Sequence, residues 1–259
     1  MTDNYTFGDN DRASERLRRL AELYEPESRD LLARCGASAP WLAVDMGCGP
    51  GWSTRLIRDV LSPRRTVGLD ASERYVAEAR CRHGSALEFA VHDVTRAPFP
   101  FEAPDLLLCR FLLTHLREPA AALATWGEIA APGARLLLHE TESLASDHPA
   151  LRRYYELVAA LQARHGQALE VGAMLDGCLT TTAWRVAESR RLPLEKPAAA
   201  MAGLHLANLR TWRQAPHARR AFDPGELDRL DASLERIASG EEAGGVVVNA
   251  VRQIVAVRR

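Results

Sequence analysis

The run Asp45-Met46-Gly47-Cys48-Gly49-Pro50-Gly51 sets a carboxylate two residues ahead of three glycines spaced at every second position. It follows the apolar stretch Trp41-Leu-Ala-Val44 and leads into Trp52-Ser-Thr-Arg-Leu-Ile-Arg58. Glycine admits torsions closed to other residues and clears side chains from a ligand's path, so the run reads as a binding loop where a strand hands over to a helix. Its spacing is not the Gly-x-Gly-x-x-Gly that delivers a pyrophosphate to a helix N-terminus. An acid at the strand's last turn gains nothing beside a phosphate. A ligand carrying a cationic group but no phosphate suits this loop better.

Two further acids stand in like positions, Asp70 closing Val67-Gly68-Leu69 and Asp93 in His92-Asp93-Val94. Each taken alone could cap a helix or start a turn. Three acids at three successive strand ends point instead to one ligand across the carboxyl edge of a sheet, where open α/β sheets bind their ligands. Candidate proton acceptors or orienting groups follow: His115 after Cys109-Arg110-Phe111, and the pair His139-Glu140. By strand alternation one member of that pair is expected to face the pocket and the other a helix layer.

The elements that must carry these residues are legible as a rhythm. Apolar runs at 41–46, 66–69, 87–91, 105–109 and 134–139 alternate with helical patterns at 53–61, 73–82 and 119–130. That alternation predicts a parallel sheet wrapped by helices, with strands near-continuous in Val, Leu and Ala because both faces are covered. Residues 12–34 read as one or two amphipathic helices interrupted at Pro26. Beyond Glu140 the pattern predicts helix over 148–178, a strand at 184–192, helices at 198–213 and 224–238, and a last strand at 246–257. Asp223-Pro224 supplies a side-chain cap with proline in the first turn.

Asp-x-Gly-x-Gly-x-Gly closing a first strand resembles the hallmark of the class I S-adenosylmethionine-dependent methyltransferases, in particular their bacterial small-molecule branch. Asp70, nineteen residues after Gly51, Asp93 and the Pro132-Gly133 turn into the fifth strand fall where that family has counterparts. The resemblance implies a seven-stranded, mostly parallel Rossmann-like sheet with helices on both faces and a helical cap. It implies S-adenosylmethionine as cofactor, with Asp45, Gly47, Cys48, Gly49 and Gly51 as the loop, Asp70 and Ala71 at the ribose, and Asp93 and Val94 at the adenine. Tyr5 is implied in a leader that folds over the cofactor, Arg16 or Arg110 at the methionine carboxylate, and His115, His148, Tyr154 and Tyr155 near the acceptor. Tyr154 and Tyr155 serve equally well as core, and His165 and His205 are weaker candidates. The implied division is an N-terminal cap segment, 1–35, a cofactor-binding core, 36–142, and a remainder, 143–259. That remainder carries acceptor-binding insertions at about 143–178 and 197–240.

Bulk properties agree with a small-molecule enzyme. The chain has 259 residues, 47% of them apolar, and a formal net charge of −1, which gives no clustered basic footprint for nucleic acid. Five scattered cysteines without a Cys-x-x-Cys pair suit a reducing cytoplasm and offer no zinc spacing; no metal is expected. No apolar run reaches the ~18 residues of a membrane span, and Met1–Tyr5 has no signal-peptide character. The chain is expected to act as a monomer or homodimer. The expected reaction is in-line methyl transfer to a small acceptor, on oxygen first, in bacterial secondary metabolism. Transfer to nitrogen or carbon, or a cofactor-retaining cyclase or regulator, are the alternatives. A nicotinamide-dependent oxidoreductase would need the other glycine spacing and a lysine in a hydride-site context, which the sole lysine, Lys196, lacks.

Overall fold

The computed structural model describes residues 10–259. Seven strands form one sheet: β1 (Leu42–Met46), β2 (Arg65–Asp70), β3 (Glu88–Val91), β4 (Leu106–Arg110), β5 (Arg135–Ser146), β6 (Trp184–Pro197) and β7 (Val246–Arg258). Their order is β3-β2-β1-β4-β5-β7-β6, and only β7 runs against the rest. The order reverses between β1 and β4, which opens a crevice beyond their carboxyl ends. The glycine loop leaves β1 at that crevice.

Alternation along the inner strands divides the core. Leu42, Val44 and Met46 pack on one side with Leu107, Leu138 and Trp126, whereas Ala43, Leu106 and Leu137 pack on the other with Leu31, Leu56 and Ile57. The first side is covered by α5 (Pro119–Ile129) and α7 (Leu175–Leu179). The second is covered by α2 (Glu25–Arg34) and α3 (Trp52–Leu61). Between β2 and β3 lies α4 (Glu73–His83), capped by the Ser72 hydroxyl, which accepts from the Tyr75 amide. Chain entry is by α1 (Asp11–Leu23), separated from α2 at Tyr24, with Pro26 inside the first turn of α2.

A separate apolar core stands above the carboxyl edge of the sheet. It is built by α6 (Pro149–Arg164), α8 (Ala198–Trp212), α9 (Pro216–Ala221) and α10 (Pro224–Ser239) around Leu157, Leu161, Leu209, Trp212 and Leu234. Asp223 caps α10 by accepting from the Glu226 amide, with Pro224 in the first turn as its sequence requires.

Three boundaries depart from the sequence reading. The helix expected over 148–178 stops at Arg164, because Gly166 takes a left-handed φ of 70° and the chain turns. Strand β5 continues past Glu140 to Ser146, and β6 continues past Leu192 to Pro197. Both extensions pair with β7, whose partners run to Val246 and Val247. Pro193 and Pro197 are tolerated because β6 is the edge strand, where a missing N–H costs little. Among the described residues no helix is long and apolar enough to cross a membrane.

Candidate functional site

The glycine loop is shaped by its torsions and by what packs on it. Gly47 and Gly51 take φ of 78° and 87°, in the left-handed region that side chains avoid. A Cβ on Gly47 would stand 2.7 Å from Leu112 Cδ1, and one on Gly51 2.8 Å from the His83 ring. The Gly47 and Cys48 amides donate to the Leu69 carbonyl at 2.9 and 2.8 Å, tying the loop to β2.

Asp45 anchors the following helix. Its Oδ2 accepts from Ser53 Oγ and Thr54 Oγ1, both at 2.6 Å, and its Oδ1 is buried with no hydrogen-bond partner. Burial pushes its carboxyl up, against the pull of the two hydroxyls and of Arg110. Asp70 is held from both sides: the Gly49 amide donates to Oδ2 at 2.8 Å and the Ser72 amide to Oδ1 at 2.9 Å. Asp93 accepts from the Thr95 amide and hydroxyl at 3.0 and 2.7 Å. Burial would raise its carboxyl, but those bonds and Arg96 outweigh it and hold it low.

One cavity of about 1380 Å³ joins these groups to the helical cap. Small-ligand pockets run to about 1,000 Å³, so this one has room for a nucleoside ligand and a second molecule. Gly47, Cys48, Gly49, Asp70, Ala71, Asp93 and Val94 line one end. Arg16, Arg110, His115, Tyr154 and Tyr155 line the remainder, so most of the sequence candidates meet in one space. Asp45 and Gly51 lie outside its lining and act through the loop. Tyr5 lies outside the described residues.

The structure corrects three placements. His139 and Glu140 are both 0% exposed and neither lines the cavity, because strand β5 is covered on both faces. His139 Nδ1 lies 3.3 Å from both Ser28 Oγ and Gln253 Nε2, beneath α2. Burial and the charges of Arg110, Lys196 and Arg34 push its pKa well down. Glu140 Oε1 accepts from the Leu112 and Leu113 amides at 2.8 and 2.9 Å and so fixes the loop after β4. Burial raises its carboxyl to about 7 although both amides pull it down. His148 is a helix cap: Nδ1 accepts from the Ala150 amide and Nε2 meets Glu242 at 2.8 Å. It does not line the cavity either.

The sequence reading passed over other groups. Phe111 takes a left-handed φ of 52° and turns its ring against Tyr24 and His139, each at a centroid distance of 5.0 Å. Leu112 covers Gly47. On α8, Met201, Leu204 and Asn208 present one helical face to the cavity beside His205, which the sequence offers as a weaker candidate. Asn249 on β7 reaches it from the sheet and donates from Nδ2 to the Tyr24 hydroxyl at 2.6 Å. The oxygens Asn208 Oδ1 and Asn249 Oδ1 have no partner among the described residues. Polar residues on the apolar face of α8 were the available signal, since buried polar groups are rare without a purpose. No three His, Cys, Asp or Glu among the described residues stand close enough to hold a metal ion.

A family model described as a methyltransferase domain matches residues 44–138, which span the glycine loop and all three acids. The trans-aconitate 2-methyltransferase of Methylobacterium radiotolerans is 33% identical over 176 residues, 63% of this chain and 67% of its own length. The chain belongs to the class I S-adenosylmethionine-dependent methyltransferases. A protein of the same name from Methylobacterium nodulans is 39% identical over 126 residues, 48% of each chain. The match therefore spans two thirds of the first relative and about half of the second. The cyclopropane synthase MmaA2 of Mycobacterium tuberculosis shares the fold, with a TM-score of 0.58 at 16% identity, over 90% of this chain and 84% of that one.

This methyltransferase has the groups its cofactor requires. Gly47 and Gly49 bring bare backbone to the cavity, and the fixed carboxylate of Asp70 borders it. Arg110 closes β4 at the cavity wall, its Nη1 3.2 Å from Ser28 Oγ, and offers a guanidinium to a carboxylate.

Proposed function

We propose that this methyltransferase transfers its methyl group to an oxygen of a small molecule held under the helical cap. S-adenosylmethionine supplies a methyl carbon on a sulfonium, open to in-line attack. The chain's own contribution is position and exclusion of water. Asp70 and Asp93 hold the nucleoside end, the loop from Arg110 to His115 borders the reacting end, and α6 and α8 roof the acceptor. The acceptor-binding part is thus α1, α6 and α8 with α9 and α10 behind them, whereas α2 and α7, which fall inside the expected cap segments, pack on the sheet, and 36–142 is the cofactor-binding core.

The observation that carries this reading is the continuity of one cavity from the acids at the strand ends to Tyr154, Tyr155 and His205 on the cap. The similarity to proteins named for methylating trans-aconitate supports an acceptor of that size. His115 acts by hydrogen bonding. Burial and the neighbouring Arg16 push its pKa down to about 3, so it stays neutral at physiological pH and is a poor proton acceptor.

The test is to incubate the purified protein with methyl-labelled cofactor and a panel of small acids, phenols and amines. The reading requires label in one acceptor together with stoichiometric S-adenosylhomocysteine. Cofactor binding without label transfer to any acceptor that enters the cavity would refute it. Label found only on nitrogen or carbon would refute the oxygen assignment.

A further inference from the structure

Building on the methyl-transfer reading, we propose that the cap end of the cavity is a subsite for a neutral hydroxyl of the acceptor, held by Trp212 Nε1, Asn208 Oδ1 and the Tyr154 hydroxyl. These three atoms are buried and have no hydrogen-bond partner among the described residues. The residues are 1%, 8% and 2% exposed, so bulk solvent does not serve them. Buried polar groups are almost always paired, and three orphans at one place call for a common partner.

The helices bring the three together. Asn208 and Trp212 stand one turn apart on α8 and share a face, with His205 one turn before Asn208. Tyr154, on α6, stacks its ring on His205 at 4.4 Å with an interplanar angle of 23°. Its hydroxyl faces both Asn208 and Trp212, yet no hydrogen bond joins any two of the three. Tyr154 and Asn208 line the cavity, and Trp212 stands behind that lining with its ring centroid 5.7 Å from that of Phe222. The glycine loop and the acids line the other end. A group held by the three therefore orients the acceptor and is not the atom methylated.

What the three offer fixes the chemistry of what they hold. An indole N–H only donates and has no second form, and the amide oxygen only accepts. Burial raises the Tyr154 hydroxyl above its ordinary range, so it keeps its proton and serves as donor or acceptor. The partner must therefore bring a lone pair to Trp212 and a proton to Asn208. A hydroxyl brings both on one oxygen, with a second lone pair for Tyr154. A carboxylate lacks the proton, an ammonium lacks the lone pair, and a methyl group lacks both. Arg16, which lines the same space and faces Tyr154, further disfavours an ammonium. The acceptor class is thus a molecule with two oxygens, one that takes the methyl group and a hydroxyl that enters the cap.

The test reads binding. Protein saturated with S-adenosylhomocysteine is titrated calorimetrically with three diols of different length, hydroquinone, tyrosol and octanediol. The counterparts phenol, para-ethylphenol and octanol lack the second hydroxyl. At least one diol should bind about tenfold or more tightly than its counterpart. Trp212→Phe, Asn208→Leu and Tyr154→Phe each remove one polar group and keep most of the bulk. In each variant that diol should lose about tenfold while its counterpart stays within about threefold of its parent affinity. S-adenosylhomocysteine affinity should match the parent's, and if Trp212→Phe does not fold the other two variants decide. Counterparts binding as tightly as diols, equal losses of both, or no diol binding while S-adenosylhomocysteine binds normally would each overturn the inference. A diol preference that survives in the variants, with only their stability lowered, would assign the three groups to a structural water and overturn it as well. A parent protein that fails to bind S-adenosylhomocysteine would refute the underlying methyl-transfer reading instead.

Discussion

Glu140 is a buried carboxylate whose work is done on backbone amides, and its titration should be visible in stability. Its pKa is raised from 4.5 to about 7, burial being the main cause. For an acid raised on folding, the favourable contribution is complete below the unfolded value and is lost as pH rises through the folded one. From these two values the stability lost through the raised carboxyl is about 1 kcal/mol at pH 5.5 and about 3 kcal/mol at pH 8.5. Glu140→Gln keeps an oxygen for the Leu112 and Leu113 amides and removes the charge. The stability of the variant relative to the parent should therefore improve by about 2 kcal/mol between those pH values. The histidines that also titrate are common to both proteins and cancel in the difference. Urea unfolding at four pH values measures it. At a slope of about 3 kcal/mol/M the midpoint difference should move by about 0.7 M in favour of the variant. A difference independent of pH, or one moving the other way, would show that Glu140 is ionised at little cost and that its burial does not govern its charge.

Asp70→Ala should weaken S-adenosylhomocysteine binding by about 10- to 100-fold, since it removes a charge-assisted acceptor fixed by Gly49 and Ser72; unchanged calorimetric affinity would count against the ribose assignment. Gly47→Ala should lower stability by about 1–3 kcal/mol through its left-handed torsion and its collision with Leu112. Adding Leu112→Ala should recover only the collision's share, and full recovery would show that the torsion is unstrained. The partly buried pair Lys196 Nζ–Glu27 Oε1 at 2.8 Å joins β6 to α2. Lys196→Met should cost about 1–2 kcal/mol by leaving Glu27 unpaired, while Lys196→Met with Glu27→Met should cost less. Equal losses in the single and double variants, read from chemical denaturation, would mean the lysine stem matters more than its charge.

The cofactor end of the site was legible because its determinants are local. The torsions at Gly47 and Gly51, the carboxylate at the end of β2 and the turn at Asp93 each lie within a few residues of the strand end that positions them, and strand ends follow from apolar runs. The sheet was legible for the same reason. The cap was legible only in outline. That β5 and β6 run on to Ser146 and Pro197 depends on pairing with β7, which begins about a hundred residues after the end of β5 and about fifty after the end of β6, and no local pattern states that register.

The pair His139-Glu140 shows where period-two reasoning stops being informative. Alternation assigns adjacent residues to opposite faces, and it becomes an argument about a pocket only if one face is open. In a sheet covered on both sides each face is a packing surface, so a polar residue there answers to whichever backbone lies over it. For Glu140 that backbone is the loop after β4, whose Leu112 and Leu113 amides lack strand partners and take its Oε1 instead. The same loop lays Leu112 over Gly47 and brings His115 to the cavity wall. Glu140 thus shapes the reacting end without touching it. On α8 the residues that line the cavity, Met201, Leu204, His205 and Asn208, recur at three- and four-residue spacing. A polar residue on the buried face of a helix must be met by something. For His205, Tyr155 meets Nε2 at 3.1 Å and Tyr154 stacks on the ring at 4.4 Å.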